Sequence, residues 1–552
     1  MWKMDNGNYE AHMMQGDFSM GMYLNPGNSG FSDICNGRYV DKTGLIALIN
    51  ETIGTPDKLT CVSRPRRFGK SYAAQMLCAY YDKTCQSGKL FEGYQIASAD
   101  SYKDHLNRYD VIYLDMTNIL GKTRPEQLTE FITRSVIREL KKAYPEYPEA
   151  EGEDLSGALD EALVHAVEYT GNKFIMIIDE WDAPIRETPV IEKEYLQFLR
   201  MLFKGSGTTS KIFAAVYMTG ILPIKKDGSQ SAISDFNEYT MLGPLQFAEY
   251  VGFTEQEVRE LCAHYHCDFE KMKEWYDGYS LEDIGSIYNP NSVMKAVRSK
   301  RFLSYWTATS AAESLSWYIS RDVQGLGRTI AELIGGIEVP VDINGFANDL
   351  TTFRNRDDVL TLLIHLGYLA YDVCTGKAHI PNEEIRLEFA RMIHEDKRPA
   401  TMKRVAESDR LIMDTVHMDE EAVAEQIEKV HMEATNPLNA NNENSLRAVI
   451  QLAYFSYRDY YLKMEELPAG RGYADIVYLP KQGETVPALV VELKWNHSAD
   501  TAIRQIKDKN YPLVLRDYGG EILLVGINYD KDAPAGQRKY SCRIEKCSFH
   551  AE

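Results

Sequence analysis

Nowhere in the 552 residues does an apolar run reach the roughly 18 to 20 residues needed to cross a bilayer. The longest, Phe174 to Ile178 and Phe213 to Ile224, fall well short, and the second is interrupted by Thr219, Gly220 and Pro223. No membrane partner is expected. Cysteine is sparse: nine are scattered without framework spacing, which excludes a disulfide scaffold and predicts reduced thiols. The first thirty residues carry Met1, Met4, Met13, Met14, Met20 and Met22 among Gly, Asn and Asp, without the continuous apolar core of a signal peptide. They read as a loosely packed leader over 1–30 on a cytoplasmic protein. Positive charge is also short, with 61 Lys and Arg against 81 Asp and Glu, so a net charge of −20 repels polyanions over most of the surface. Any nucleic-acid contact must be local. No internal repeat is visible. What is present, 44% hydrophobic and 26% charged residues over this length, predicts a globular chain with two or three cores.

Three regions separate by pattern. Over 31–242, short β-branched runs (Leu59 to Ser63, Val111 to Leu114, Phe174 to Ile178, Ile212 to Met218) alternate with helix-like stretches, predicting a parallel α/β sheet that binds ligands at its strand C-termini. Over 243–434 the periodicity is mainly helical, with Phe253 to Tyr265, Ile330 to Ile337 and Asp357 to Leu366 as candidates. Thr435 to Asn444 is dense in turn formers and reads as a linker opening a third domain over 435–552. There the expected order is a helix to about Lys463, strands at Asp475 to Leu479 and Ala488 to Lys494, a helix at Ser498 to Lys509 and a strand at Glu521 to Ile527.

Arg64-Pro65-Arg66-Arg67-Phe68-Gly69-Lys70-Ser71 follows one predicted strand and opens the helix ending at Tyr81. In that setting backbone N–H groups face an anion, Lys70 reaches the β and γ phosphates of ATP, and the Ser71 hydroxyl ligates Mg²⁺. Arg64 stands where such loops usually begin with glycine, and either narrows the loop or offers its charge to the phosphates. With Arg66 and Arg67 it also allows action on a neighbouring copy's phosphate in a homo-oligomer. The apolar strand Phe174 to Ile178 ends in Asp179-Glu180. Asp179 is expected to hold the Mg²⁺ water shell and Glu180 to activate the attacking water, with Asp182 as a substitute. Thr219 either senses the γ phosphate or is an ordinary strand-end residue.

In the third domain Glu492 and Lys494 are two apart, so both leave one face of a strand. A hairpin symmetric about Gly483 and Glu484 sets Asp475 opposite Glu492. Two carboxylates and an ammonium then converge as a site for one or two Mg²⁺ or Mn²⁺ ions, with Lys494 orienting or deprotonating water. Glu443 offers a further metal ligand and Gln505 a contact to water or phosphate. Arg447, Arg458, Arg471, Arg504, Lys507 and Lys509 supply local positive charge for a phosphodiester backbone. A surface Glu–Lys pair is the plain alternative, but the apolar neighbours Val490, Val491 and Leu493 make buried charge there costly without a purpose. Cys262-Ala263-His264-Tyr265-His266-Cys267 does not place four ligands on one helix face, and Trp275 to Tyr279 and Tyr454, Tyr457, Tyr460 and Tyr461 read as core.

Tyr39-Val40-Asp41-Lys42-Thr43, the Arg64–Ser71 loop, Asp179-Glu180, Thr219-Gly220, Glu274 to Tyr279 and Tyr288-Asn289-Pro290 occur in this order. They resemble bacterial AAA-ATPase-like proteins with a C-terminal PD-(D/E)XK nuclease domain, from Tyr39 to about Tyr529. The resemblance implies an α/β protein: an AAA-ATPase-like P-loop domain over 31–242, a lid-like or winged-helix-like helical region over 243–434, and a restriction-endonuclease-like domain over 435–552. Lys70 and Ser71 fall on the phosphate and Mg²⁺ positions, Asp179 and Glu180 on the strand-end acids, and Asp475, Glu492 and Lys494 on the nuclease signature. Arg64 is shared with the family form of the loop, and Ala474 stands where the signature has proline. The expectation is an ATP-binding, ATP-regulated, Mg²⁺-dependent nuclease acting on nucleic acid, DNA first. The alternative is a nucleotide-dependent switch or binding module without nuclease turnover.

Overall fold

The computed structural model describes residues 21–145, 158–306, 326–346 and 353–547, apart from 205, 225, 228, 229, 232, 234, 282, 283, 354, 396–398, 435–445, 448, 451, 452, 455, 456, 470, 471, 482–485, 509–514, 516–519, 535 and 536. Glu443, the Thr435 to Asn444 linker, Arg471 and Lys509 lie outside the described residues. The chain divides into two units, Met1–Thr307 with Pro340–Ile385, and Ala308–Val339 with Arg386–Glu552.

The first unit is built on a parallel sheet of β1 (Leu59–Ser63), β2 (Asp110–Asp115), β3 (Phe174–Asp179), β4 (Phe213–Gly220) and β5 (Asn237–Tyr239), in the order β2-β3-β4-β1-β5. β3 and β4 are buried at every position, as their unbroken apolar runs require of a sheet covered on both faces. The helix α1 (Lys70–Tyr81) follows β1, so the loop between them sits at the C-terminal edge of the sheet. Tyr39 to Thr43 is a clamp: Asp41 accepts from Thr43 N and Gln95 N, and Lys42 Nζ donates to the Glu257 carboxylate and to Glu249 O.

The expected loose leader is corrected from residue 21 onward. Tyr23 and Leu24 are buried, Asn25 N donates to Val111 O, and the Asn25 side chain exchanges hydrogen bonds with Asp110 and Val111, so this segment is held along β2. Farther along, Thr254 and Glu257 form a capping box that starts the helix Glu255–Tyr265, and Asn289 with Pro290 starts Pro290–Ser299. Trp275 to Tyr279 is core and turn: Tyr276 OH donates to Leu303 O and Tyr279 OH to Gly367 O.

In the second unit, β6 (Tyr461–Ala469), β7 (Gly472–Pro480), β8 (Ala488–Trp495), β9 (Ile522–Tyr529) and β10 (Tyr540–Cys547) form a sheet in chain order. It is antiparallel except for the β8–β9 pair. The expected helix to Lys463 stops at Tyr460, because Tyr461 pairs with Pro480 and starts β6. The single helical region over 243–434 is likewise corrected. Pro340–Ile385 belongs to the first unit, while the helices Pro399–Val416 and Glu420–Ala434 bury Leu411, Ile412, Val423 and Ile427 in one core with Tyr478, Val491 and Val525 of the second.

Candidate functional site

Chemistry-bearing residues gather at two places, one in each unit. In the first, the chain leaves β1 with Arg64 N bonded to Gly220 O, then turns through left-handed Arg67 (φ +71) and Gly69 (φ +93) into α1. Space around Gly69 is open, so its backbone angle rather than crowding calls for glycine. Gly69 caps α1 without a side chain, which leaves the first N–H groups of the helix available to an anion. Lys70 is buried, its Nζ donating to Arg64 O (3.0 Å) and Pro65 O (2.8 Å). Burial pulls the ammonium down from 10.5 to about 8, against the attraction of Glu180 and Asp179.

Asp179, at the end of β3, is 3% exposed, and its Oδ1 has no hydrogen-bond partner. Burial lifts the carboxyl from 3.8 to about 6 in spite of a hydrogen bond from Ser71 and the nearby Lys70. Thr219 is its register partner on β4, and the buried Thr219 Oγ1 is also without a partner. Such orphaned polar atoms are costly unless a ligand or ion completes them. They fit a bound nucleotide with its Mg²⁺.

Glu180 adopts φ +51, an uncommon angle for its residue type, and its Oε2 accepts from Thr117 Oγ1 (2.9 Å) and Arg186 Nη2 (3.1 Å). Asp182 is not available to water: it accepts from Arg186 Nε (2.8 Å) and from the amides of Ile221 and Leu222. Gly220 permits this closeness, since a Cβ there would lie 2.7 Å from the Trp181 indole and 2.8 Å from Asp182 Oδ1. Arg186, on the short helix α2 (Ala183–Glu187), is the residue that sequence reasoning missed. Its signal was the Asp182 to Arg186 spacing of one helical turn.

The structure therefore brings together Lys70, Ser71, Asp179, Glu180 and Thr219. The loop arginines are engaged elsewhere. Arg64 is wholly buried, with Nη1 on Ser63 O and Tyr239 O, and burial lowers its pKa to about 10. Arg66 Nη2 stands 3.9 Å from Glu187, and Arg67 Nη1 donates to Tyr305 O. Phe68 meets Tyr279 edge to face, and a Cβ on Gly367 would lie 2.7 Å from Pro65, so the loop is wedged between residues of the same unit.

In the second unit the β7–β8 ladder pairs Tyr478 with Leu489, Val477 with Val490 and Ile476 with Val491. The same register carried one step further puts Asp475 level with Glu492, just past the last paired residues. There the Asp475 side chain takes over from the ladder, its Oδ2 accepting from Leu493 N (2.8 Å) and its Oδ1 from Arg447 Nη2 (3.0 Å). Glu492 is 2% exposed, and its Oε1 accepts from Lys494 Nζ (3.0 Å) and from Gln505 Nε2. Lys494 Nζ also donates to Leu493 O. Gln505 reaches Glu492 because the helix α3 (Ala499–Asp508) lies close against Gly526, the β9 partner of Glu492. A Cβ on Gly526 would fall 2.5 Å from Ala499 O. Two carboxylates at a strand end are hard oxygen donors that suit Mg²⁺ or Mn²⁺. Among the described residues no group of three or more His, Cys, Asp or Glu stands together as a metal site.

Residues 27–229 match the family model of a predicted AAA-ATPase, and residues 441–535 that of the PD-(D/E)XK nuclease superfamily. An uncharacterized protein in the vnfD 5′ region of Azotobacter chroococcum mcd 1 is 25% identical over 276 residues, 49% of this chain and 50% of that protein. The match thus spans about half the length of that curated relative. Among solved structures, the Aeropyrum pernix ORC2 protein in ADPNP–ADP complexes is similar at 12% identity and a TM-score of 0.25, over 65% of this chain and 98% of that one. Cdc6p from Pyrobaculum aerophilum is similar at 14% identity and a TM-score of 0.24, over 66% and 99%.

Proposed function

From the premise that this chain carries a predicted AAA-ATPase domain followed by a PD-(D/E)XK nuclease superfamily domain, we propose that it binds ATP and hydrolyses phosphodiester bonds of nucleic acid, DNA first, under ATP control. The observation that carries the reading is the meeting of Asp475, Glu492 and Lys494 around the Leu493 peptide, within the segment that matches the nuclease superfamily. When bound there, a divalent cation supplies positive charge to the phosphate and lowers the pKa of water. Asp475 and Glu492 hold it, with Glu443 as a further ligand, while Lys494 and Gln505 orient the attacking water. At the P-loop, Lys70 holds the β and γ phosphates, and Arg66 adds charge at the loop. Ser71 and Asp179 hold Mg²⁺, Glu180 positions water and Thr219 senses the γ phosphate. Glu180 does so while its Oε2 is held by Thr117 and Arg186.

The test is a cleavage assay on single- and double-stranded DNA and RNA, with Mg²⁺ or Mn²⁺ and with or without ATP. Wild type is expected to cut, and Lys494→Ala and Glu492→Ala to abolish cutting while ATP binding persists. Cutting unaffected by Lys494→Ala would overturn the assignment. A second reading, a nucleotide-dependent switch that binds nucleic acid without cutting it, is favoured by one observation: both carboxylates already have cationic partners, Arg447 and Lys494. Equal nucleic-acid affinity with and without divalent metal, and no cleavage, would select it.

A further inference from the structure

The two carboxylates of the C-terminal site differ in how their counter-ions are held. Lys494 is on the same strand as Glu492, 12% exposed against 2%, and is tied to Leu493 O as well. That pair is built into the strand. Arg447 comes from a helical segment earlier in the chain, and its pair with Asp475 is more open, at 27% and 22% exposure. Asp475 itself is pinned through Oδ2 by the Leu493 amide, so Oδ1 can change partner while the carboxylate stays in place.

Resting on the nuclease reading above, we propose that Arg447 is an exchangeable counter-ion. It neutralises Asp475 in the cation-free domain, and it is released to contact the nucleic-acid phosphate when a divalent cation takes Asp475 Oδ1. Each carboxylate of the strand pair has one cation beside it, Arg447 at Asp475 and Lys494 at Glu492. A divalent cation on Asp475 replaces the attraction between that carboxylate and the guanidinium with repulsion at a few ångströms. A half-open arginine pair is weak enough to exchange. The freed guanidinium has the planar donor fork that suits a phosphate. It also places positive charge where a chain of net charge −20 needs it to approach a polyanion.

The experiment uses the full chain without nucleotide. Mn²⁺ binding is followed calorimetrically, and the affinity for a labelled DNA duplex is followed by anisotropy in Ca²⁺. Arg447→Met is expected to bind Mn²⁺ roughly threefold more tightly, because a competitor is gone. Its duplex affinity is expected to fall about tenfold, with a salt slope smaller by about one. Arg447→Lys should restore the competition with Mn²⁺ but only part of the duplex affinity. A purely structural arginine would weaken both affinities together, and that result overturns the proposal. Mn²⁺ uptake that is lost in Glu492→Ala but indifferent to Arg447→Met overturns the role of Arg447 alone. Uptake unchanged by Glu492→Ala removes the cation site, and the nuclease reading with it.

Discussion

The two sites solve the same problem, ionisable groups gathered in a small space, in opposite ways. At the P-loop, Asp179 and Thr219 keep buried polar atoms unpartnered, and burial drives Lys70 and Asp179 toward their neutral forms. At the C-terminal site each carboxylate has a cation beside it and further donors from a backbone amide or Gln505. The first site holds buried polar atoms that no protein group completes, so a ligand that completes them recovers their cost on binding. The second is shielded, so a ligand must displace something. The largest expected effect probes the arginine that ties the acids of the P-loop site together. Arg186 is 9% exposed and joins Glu180 to the buried Asp182. Arg186→Ala leaves Asp182 charged and buried, and should cost about 3 kcal/mol of stability, read as a lower denaturation midpoint. A loss under about 1 kcal/mol would mean that the acid turn is held by the Ile221 and Leu222 amides alone.

Next in size, and opposite in sign, is Asp179→Asn. A carboxyl whose pKa is about 6 when folded, against an ordinary 3.8, binds more protons folded than unfolded between those values. Stability from this group is therefore present below about pH 4 and lost as pH rises to about 6. Nucleotide-free Asp179→Asn should be more stable than wild type by about 2 kcal/mol at pH 7.5, and the gain should vanish near pH 4. Its nucleotide affinity in Mg²⁺ should fall. A gain that persists at pH 4 would point to packing rather than charge.

Most of this site was legible because its parts are local. Strand, loop and helix around Lys70 are contiguous, and the acid pair ends an unmistakable apolar run. The hairpin register was legible too, since two strands about one turn leave a fixed sum of paired residue numbers, met by Ile476 and Val491. The Glu180–Arg186 pair was hidden because it depends on the left-handed turn at Glu180, which no local pattern announces. β6 was hidden because Tyr454, Tyr457, Tyr460 and Tyr461 continue a helical spacing up to the residue where the strand starts. No expectation covered β10, whose Arg543, Glu545 and Lys546 break any apolar run. Periodicity identified middle helices but not their core, so Arg356–Leu366 and Pro399–Val416 were read together although they serve different units.

At the shielded site the support for Glu492 rests on the close approach at Gly526. Gly526→Ala should cost about 1.5 kcal/mol, because the clash is with the Ala499 carbonyl rather than a flexible side-chain end. By moving α3 it should also loosen the Gln505 contact, seen as weaker Mn²⁺ binding. An unchanged midpoint would show that α3 can shift freely.

The smallest effect is the sharpest test of the contrast, because the same chemical change should act in opposite directions in the two units. Asp475→Asn keeps the shape and the acceptor for Leu493 N but removes the charge that faces Arg447. With that pair partly open to solvent, the loss should be only about 0.5 kcal/mol. It should shrink in 0.5 M salt, where screening reaches only about 4 Å. Asp179→Asn, in a buried site, should respond little to the same salt. If both substitutions stabilise the protein, Asp475 is as poorly matched to its surroundings as Asp179, and Arg447 is not its counter-ion. If both destabilise it, the unpartnered oxygen of Asp179 is completed by water, and the P-loop site is not held in a costly state awaiting its ligand.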